Sequence, residues 1–335
     1  MFRNDYSEAC AGEVLDALAK LQKEQNIGYG EDVHSERAKG LIKDFFGLGE
    51  SADVHFIAGG TQTNMTVISY FLRPYECVIA CDTGHINVHE TGAIEGSGHK
   101  VITCKGNDGK LDINEAEKLF NKHSDEHMVK PAMVYISDTT ETGTVYTKSE
   151  LEEIRAFCDR HGLILYLDGA RLGVALTAKS DVTAKDIARL CDVFYVGGTK
   201  NGALFGEAVV IKNGCGAKDF RYHIKNRGAM LAKGFVVAAM FEALFEDGLY
   251  LRLAENSNRQ AEKIKKAFVK RGVELYGQSP TNQIFVTLEN AKAQALMDRF
   301  GCEKWLGAGE KTVVRIVTSF ATKDEESEEI IKFFN

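Results

Sequence analysis

Leu163-Ile164-Leu165-Tyr166-Leu167-Asp168-Gly169-Ala170-Arg171 is the stretch on which the fold reading turns. An almost wholly apolar run of strand length delivers an acid, then glycine, at its carboxyl end. Just upstream, Lys148 to His161 shows helical spacing of apolar residues and opens with Thr147 ahead of Glu150, a capping-box pattern. The same alternation extends in both directions, with predicted strands at 54–57, 77–81, 100–104, 132–136, 163–167, 193–196 and 207–211, and a helix over Thr61 to Leu72. Strands alternating with helices are the mark of βαβ units around a mainly parallel sheet. Right-handed crossovers then put helices on both faces and gather ligands at the strand ends.

Beyond about residue 240 the pattern changes. A long helix from Gly248 to Arg271 is followed by strands at 273–275, 284–288 and 313–317, a helix near 290–300 and a final helix, the order of a smaller α+β unit. The expected division is a large domain with the amino-terminal segment, 1–245, and a small carboxyl-terminal domain, 246–335. At 335 residues the chain is long enough for both.

Composition narrows the class. Apolar stretches such as Leu163 to Leu167 or Gly234 to Phe245 fall short of the roughly 18 residues that a membrane helix needs. The amino terminus lacks the basic, apolar, small-residue order of a secretory signal, so the expected location is the cytoplasm. Eight scattered cysteines form no CxxC cluster and read as reduced thiols, and no metal-ligand spacing is found. Net charge is −7 with dispersed basic residues, which argues against a nucleic-acid partner and for a small ligand.

The second informative segment is Phe194-Tyr195-Val196-Gly197-Gly198-Thr199-Lys200-Asn201-Gly202, a lysine leaving an apolar strand between glycines. Glycines let backbone approach a planar ligand, and a desolvated amine is nucleophilic. Alone, such a lysine is more often a solvated surface residue. One strand earlier, however, Asp168 ends an apolar run, where an acid is costly unless paired; a pyridinium N–H would pair it, as would a following helix or Arg171. A third element, Ala58-Gly59-Gly60-Thr61-Gln62-Thr63-Asn64, is a glycine turn that opens a helix, where backbone N–H groups with Thr61 and Gln62 suit a phosphate. Phosphate cradle, ring-nitrogen acid and Schiff-base lysine are together what pyridoxal 5'-phosphate requires. A dinucleotide reading of the turn fails, because Gly59-Gly60-Thr61 lacks the GxGxxG spacing.

With these motifs in this order, the chain resembles the low-specificity L-threonine aldolases of the β-eliminating lyase group. The likeness runs from Asn4-Asp5-Tyr6-Ser7 through Ile27-Gly28-Tyr29-Gly30-Glu31-Asp32, Gly84-His85 and the two segments above to Val314-Arg315. It implies the fold-type I pyridoxal-phosphate transferase-like architecture, α/β with a large domain and a smaller α+β domain, in homodimers or homotetramers with shared active sites. It also implies roles. Lys200 is the cofactor lysine, Asp168 the ring-nitrogen partner, Gly60, Thr61 and Gln62 the phosphate turn, His85 the imidazole on the ring, Arg171 the arginine near the phenolic oxygen and substrate, and Arg315 the substrate-carboxylate arginine. Tyr29 and Lys225 are weaker assignments, beside the cofactor or a neighbouring subunit. A family serine for the substrate carboxylate is replaced here by Asn4, and a family histidine by Glu141 in Thr139-Thr140-Glu141-Thr142-Gly143.

The implied reaction is retro-aldol cleavage of a β-hydroxy-α-amino acid, L-threonine or L-allo-threonine, to glycine and an aldehyde. The base for the substrate hydroxyl stays open among His85, Glu90, Glu141 and water. Another pyridoxal-phosphate lyase or an aminotransferase is the alternative, and a non-catalytic binding protein a further one.

Overall fold

The computed structural model of the protein describes residues 1–212 and 214–334. Strands β1 (Asp53–Ile57), β2 (Glu76–Cys81), β3 (Lys100–Cys104), β4 (Lys130–Ser137), β5 (Ile164–Asp168), β6 (Val193–Gly197) and β7 (Glu207–Ile211) form a seven-stranded sheet in the order β1-β7-β6-β5-β4-β2-β3. β7 runs antiparallel to both of its neighbours, and the other adjacent pairs are parallel. The mainly parallel sheet expected from the alternation is therefore present, and Asp168 is itself the last residue of its strand.

Every residue of β2, β6 and β7 is buried, as a sheet covered on both faces requires. Successive side chains alternate between two cores: Leu165 and Leu167 enter one, Tyr166 the other. Tyr135 of β4 is in register with Tyr166 of β5, and Tyr195 of β6 shares their face. Three neighbouring strands thus carry a row of tyrosines beneath the end of β5. The helix Gly60–Phe71 packs on that face, contributing Val67 and Ile68 to its core.

Glycine at the strand ends lets the chain pack closely on itself. A Cβ on Gly169 would strike the Tyr195 carbonyl, and one on Gly197 the Ala170 carbonyl; on Gly198 it would lie 2.7 Å from the Gly206 oxygen and 2.8 Å from the Phe241 ring. These glycines let the turns after β5 and β6 pack on one another.

A second, antiparallel sheet comprises β8 (Glu274–Leu275), β9 (Gln283–Glu289), β10 (Glu303–Ala308) and β11 (Lys311–Val317) in the order β8-β9-β11-β10. Ile264 and Phe268 of the helix Leu249–Lys270, Leu296 of Asn290–Phe300 and Ile330 of Asp324–Lys332 share its core. β10 escapes sequence reading because Glu303-Lys304-Trp305-Leu306 does not alternate cleanly, and its register shifts between Lys304 and Leu306. We propose the division into units 1–245 and 246–335, a reading supported by the separate core of the second sheet, while Leu249, Tyr250 and Phe320 pack into the core of the first. Phe2 reaches across it, donating to the Phe300 carbonyl and accepting from the Val317 N–H, both at 2.9 Å.

Gly197→Ala is expected to cost about 1–3 kcal/mol by overpacking the turn contact. A lowered denaturant midpoint with an unchanged slope is the measurement that checks it.

Candidate active site

Asp168 is buried at the end of β5, and protein groups occupy both of its oxygens. The Tyr135 hydroxyl donates to Oδ2 at 2.6 Å and the Asn64 amide at 3.1 Å. The Tyr195 hydroxyl donates to Oδ1 at 2.5 Å and the Ala170 N–H at 3.0 Å. Tyr166 completes the row indirectly, donating to Asn64 Oδ1 at 2.7 Å and so turning that amide toward Asp168. Burial alone would raise the Asp168 carboxyl, but His85 and these donors outweigh it and hold the group below its usual range. All four donors are neutral. They satisfy the hydrogen bonds of an anion and leave its charge without a counter-ion, since no ion pair of Asp168 exists among the described residues. The acid is therefore paired in a way the sequence did not suggest, by side chains that each look like ordinary strand core.

Lys200 lies beyond β6, and its amine is depressed from its ordinary value, first by burial and then by Arg171, against the opposing charges of Asp5, Glu141 and Asp168. A depressed amine is a better nucleophile at neutral pH. Lys200 Nζ stands 5.7 Å from the centre of the Tyr6 ring. Tyr6, His85, Glu141, Arg171, Lys200 and Arg315 line one cleft of about 770 Å³ between the two sheets.

His85 opens a short helix after β2. Its Nδ1 is 2.8 Å from Glu90 Oε1, and Glu90 also accepts from Asn64 Nδ2 at 2.7 Å. Because an ionised carboxylate only accepts, the Nδ1 proton faces Glu90 and Nε2 is left with its lone pair. Burial lowers the imidazole, but the Glu90 bond and the charges of Glu141 and Asp168 outweigh it and hold the group above its ordinary value. Glu90 itself is buried behind His85 and lines no part of the cleft.

The arginines arrive from opposite sides. Arg171 is gripped by Asp5, Nε to Oδ2 at 2.7 Å and Nη2 to Oδ1 at 3.1 Å, with Asn282 also donating to Oδ2. Arg315, on β11, donates to Glu303 Oε2 at 2.6 Å, and its guanidinium carbon lies 5.6 Å from the Trp305 ring centre.

At the start of the helix Gly60–Phe71, the N–H groups of Gly60, Thr61 and Gln62 meet no protein acceptor among the described residues, and Gly59 supplies no side-chain cap. A Cβ on Gly60 would lie 3.3 Å from the Tyr195 hydroxyl, which bonds Asp168, so this helix end adjoins the acid. An uncapped helix start suits a phosphate, and an anion with only neutral donors suits a ring-nitrogen cation. The donor set fits pyridoxal phosphate.

Other residues named from sequence lie elsewhere. Asn4 does not line the cleft: its Oδ1 accepts from the Tyr6 N–H at 3.1 Å and the Ser7 hydroxyl at 2.8 Å, and its neighbour Asp5 is what reaches Arg171. Tyr29 and Lys225 pair with each other, the amine 4.8 Å from the ring centre, outside the cleft.

A sheet of this order, with Lys200 lining a cleft at its strand ends beside the buried Asp168, has the architecture of the fold-type I pyridoxal-phosphate enzymes. The chain belongs to the beta-eliminating lyase family, whose model matches residues 2–291. It is 32% identical over 300 residues to the low specificity L-threonine aldolase of a Pseudomonas species, across 88% of this chain and 86% of that protein. Among solved structures, the threonine aldolase of Leishmania major matches with a TM-score of 0.97 at 44% identity, over 99% of this chain and 98% of that one. Serine palmitoyltransferase of Sphingomonas wittichii shares the fold at a TM-score of 0.74 and 14% identity, over 99% and 85%.

In Glu90→Gln the His85 imidazole should titrate about one unit lower than in the wild type, because the partner that favours the cation has lost its charge. Imidazole proton resonances followed against pH give the value. Asp5→Asn leaves Arg171 buried without its anion, and is expected to cost about 3–5 kcal/mol in chemical denaturation.

Proposed function

We propose that the protein is a pyridoxal-phosphate aldolase that cleaves L-threonine or L-allo-threonine to glycine and acetaldehyde. The observation that carries this reading is a single cleft where Lys200, His85, Arg171 and Arg315 meet beside the buried Asp168. Lys200 would hold the cofactor covalently, Asp168 its ring nitrogen, and the N–H groups of Gly60, Thr61 and Gln62 its phosphate, with Arg171 near the phenolic oxygen. When bound, the cofactor supplies an electron sink for negative charge at the substrate Cα.

The chain's own residues then select the bond and move the protons. Arg315 offers its guanidinium fork to the substrate carboxylate, and fixing that group decides which Cα bond is aligned to break. His85, turned by Glu90 so that Nε2 faces the cleft, takes the proton of the β-hydroxyl. The Cα–Cβ bond breaks, Cβ leaves as the aldehyde carbon, and a proton delivered to Cα leaves glycine. Glu90 acts through His85, and Glu141 lines the cleft as a second carboxylate within electrostatic reach of the imidazole. His85 serves only when unprotonated, so the turnover rate should climb as pH rises through its elevated pKa.

No described helix is long and apolar enough to cross a membrane. On this reading the enzyme works in the cytoplasm, as a homodimer or homotetramer with shared active sites. Tyr29 and Lys225, paired outside their own cleft, are then the residues offered to a neighbouring subunit.

The purified protein should be yellow, Lys200→Ala should abolish the colour, and the wild type should release acetaldehyde from L-threonine or L-allo-threonine. A colourless protein that takes up no pyridoxal phosphate overturns the cofactor; a yellow one that releases no aldehyde from any β-hydroxy amino acid overturns the aldolase reading. His85→Asn should lower the turnover rate by roughly 10²- to 10⁴-fold, the usual worth of a general base. A larger loss in Glu141→Gln than in His85→Asn would transfer the role to Glu141.

A further inference from the structure

Glu303 stands between two arginines on one side of the cleft. It is the register partner of Arg315, so β10 and β11 set the two side chains next to one another. Its Oε2 accepts from Arg315 Nη2 at 2.6 Å, and its Oε1 from Arg3 Nε at 3.0 Å. Arg3 is kept in place by its neighbour Phe2, whose backbone is bonded to Phe300 and Val317. Trp305, further along β10, faces the Arg315 guanidinium and packs edge-on against Phe285, with 5.1 Å between the ring centres. Glu303, Trp305 and Arg315 all line the cleft.

The two arginines of the cleft are paired in different ways. Arg171 is held through two nitrogens by Asp5, whose side chain is 1% exposed. Arg315 is held through one nitrogen by a carboxylate that is 35% exposed, and its buried Nε has no hydrogen-bond partner among the described residues. A guanidinium with an idle N–H suits a carboxylate that can take two. Glu303 is thus an anion already seated on the group assigned to the substrate carboxylate, and it has a second cation to retain. We propose that Glu303 is a displaceable stand-in for that carboxylate: it neutralises Arg315 in the empty cleft and yields it to an incoming amino acid while keeping Arg3. The proposal rests on the reading of Arg315 as the substrate-carboxylate arginine.

A largely buried guanidinium left without an anion is destabilising, and Glu303 removes that penalty before a ligand arrives. The charge needed for this is present at neutral pH: burial raises the Glu303 carboxyl, but Arg3 and Arg315 outweigh it and hold the group below its usual range. The exchange conserves ion pairs, because Glu303 stays on Arg3 while the ligand takes its place on Arg315 and engages Nε as well. Only a ligand with its own carboxylate gains by it; an amine or an amide leaves Glu303 where it is. Neutral analogues are therefore rejected by an internal competitor. The same competitor weakens the binding of every true ligand, whose apparent dissociation constant exceeds the intrinsic one by the reciprocal of the fraction of Arg315 that is free.

Trp305 is the chain's one tryptophan, so its fluorescence reports on ligands that reach Arg315. Glycine, the carboxylate-bearing product of the proposed reaction, is titrated into the full-length protein loaded with pyridoxal phosphate and followed by that fluorescence and by calorimetry. In Glu303→Gln its dissociation constant should fall about tenfold, as when the free fraction of Arg315 rises from roughly a tenth toward one. Glycinamide, which has no carboxylate, should bind the wild type and the variant alike. Glu303→Ala makes the same comparison if the glutamine variant does not fold. An unchanged or raised constant for glycine, or an equal fall for glycinamide, overturns the proposal. An Arg315→Gln variant that binds glycine as tightly as the wild type removes Arg315 from the substrate site, and the proposal falls with that reading. A colourless wild type removes the cofactor reading instead. Acetate, which needs no cofactor, then replaces glycine: tighter binding in Glu303→Gln sustains the proposal, and unchanged binding overturns it.

Discussion

One buried carboxylate organises the centre of this molecule. Asp168 ends a strand in the middle of the sheet, where it forms no ion pair among the described residues, and Tyr135, Tyr195, Asn64 and the Ala170 N–H, with the charge of His85, hold it as an anion. That arrangement demands strict register. Tyr135, Tyr166 and Tyr195 converge only because β4, β5 and β6 lie side by side with these residues on one face. A slip of one residue would send each phenol into the opposite core and leave the acid unpaired. The glycines after β5 and β6 serve the same end, since any side chain there would force the two turns apart.

The cleft is built outward from this anion by pairs in which one member works and the other restrains it. Asp5 grips Arg171, Glu90 turns His85, Glu303 holds Arg315, and Glu207 bolts the Lys200 turn. Each working group faces the cleft, while its partner sits behind it or closes over one side. Such support narrows the motion of long side chains, and the Glu90 bond also raises the His85 imidazole, whereas burial and Arg171 draw the Lys200 amine down. Arg315 is the case with a cost on the proposed reading, because a substrate carboxylate would have to share it with Glu303 or displace Glu303.

Much of this was legible in the sequence, and what was missed has physical reasons. The seven large-sheet strands announce themselves because each is a short apolar run bounded by turn residues. Lys200, Asp168, His85, Arg171 and Arg315 stand out as chemically unusual residues at strand ends or in recognisable motifs. The tyrosine row does not, since Tyr135, Tyr166 and Tyr195 each sit inside an apolar strand and read as core. Only strand order, a long-range property, lines them up. Asp5 was overshadowed by Asn4, because the adjacent residues differ by which one points inward, and a short coil segment has no periodicity to show it. Glu303 and Trp305 were hidden with their strand, whose irregular register removes the alternation that would have revealed it.

The central claim is that Asp168 is an anion completed by a cationic ring nitrogen. The nitrogen-15 resonance of pyridoxal phosphate labelled at the ring and bound to the wild-type protein tests this most directly. The account predicts a protonated ring nitrogen at neutral pH that loses its proton in Asp168→Asn. An unprotonated nitrogen in the wild type, or one whose state is indifferent to Asp168, would contradict it.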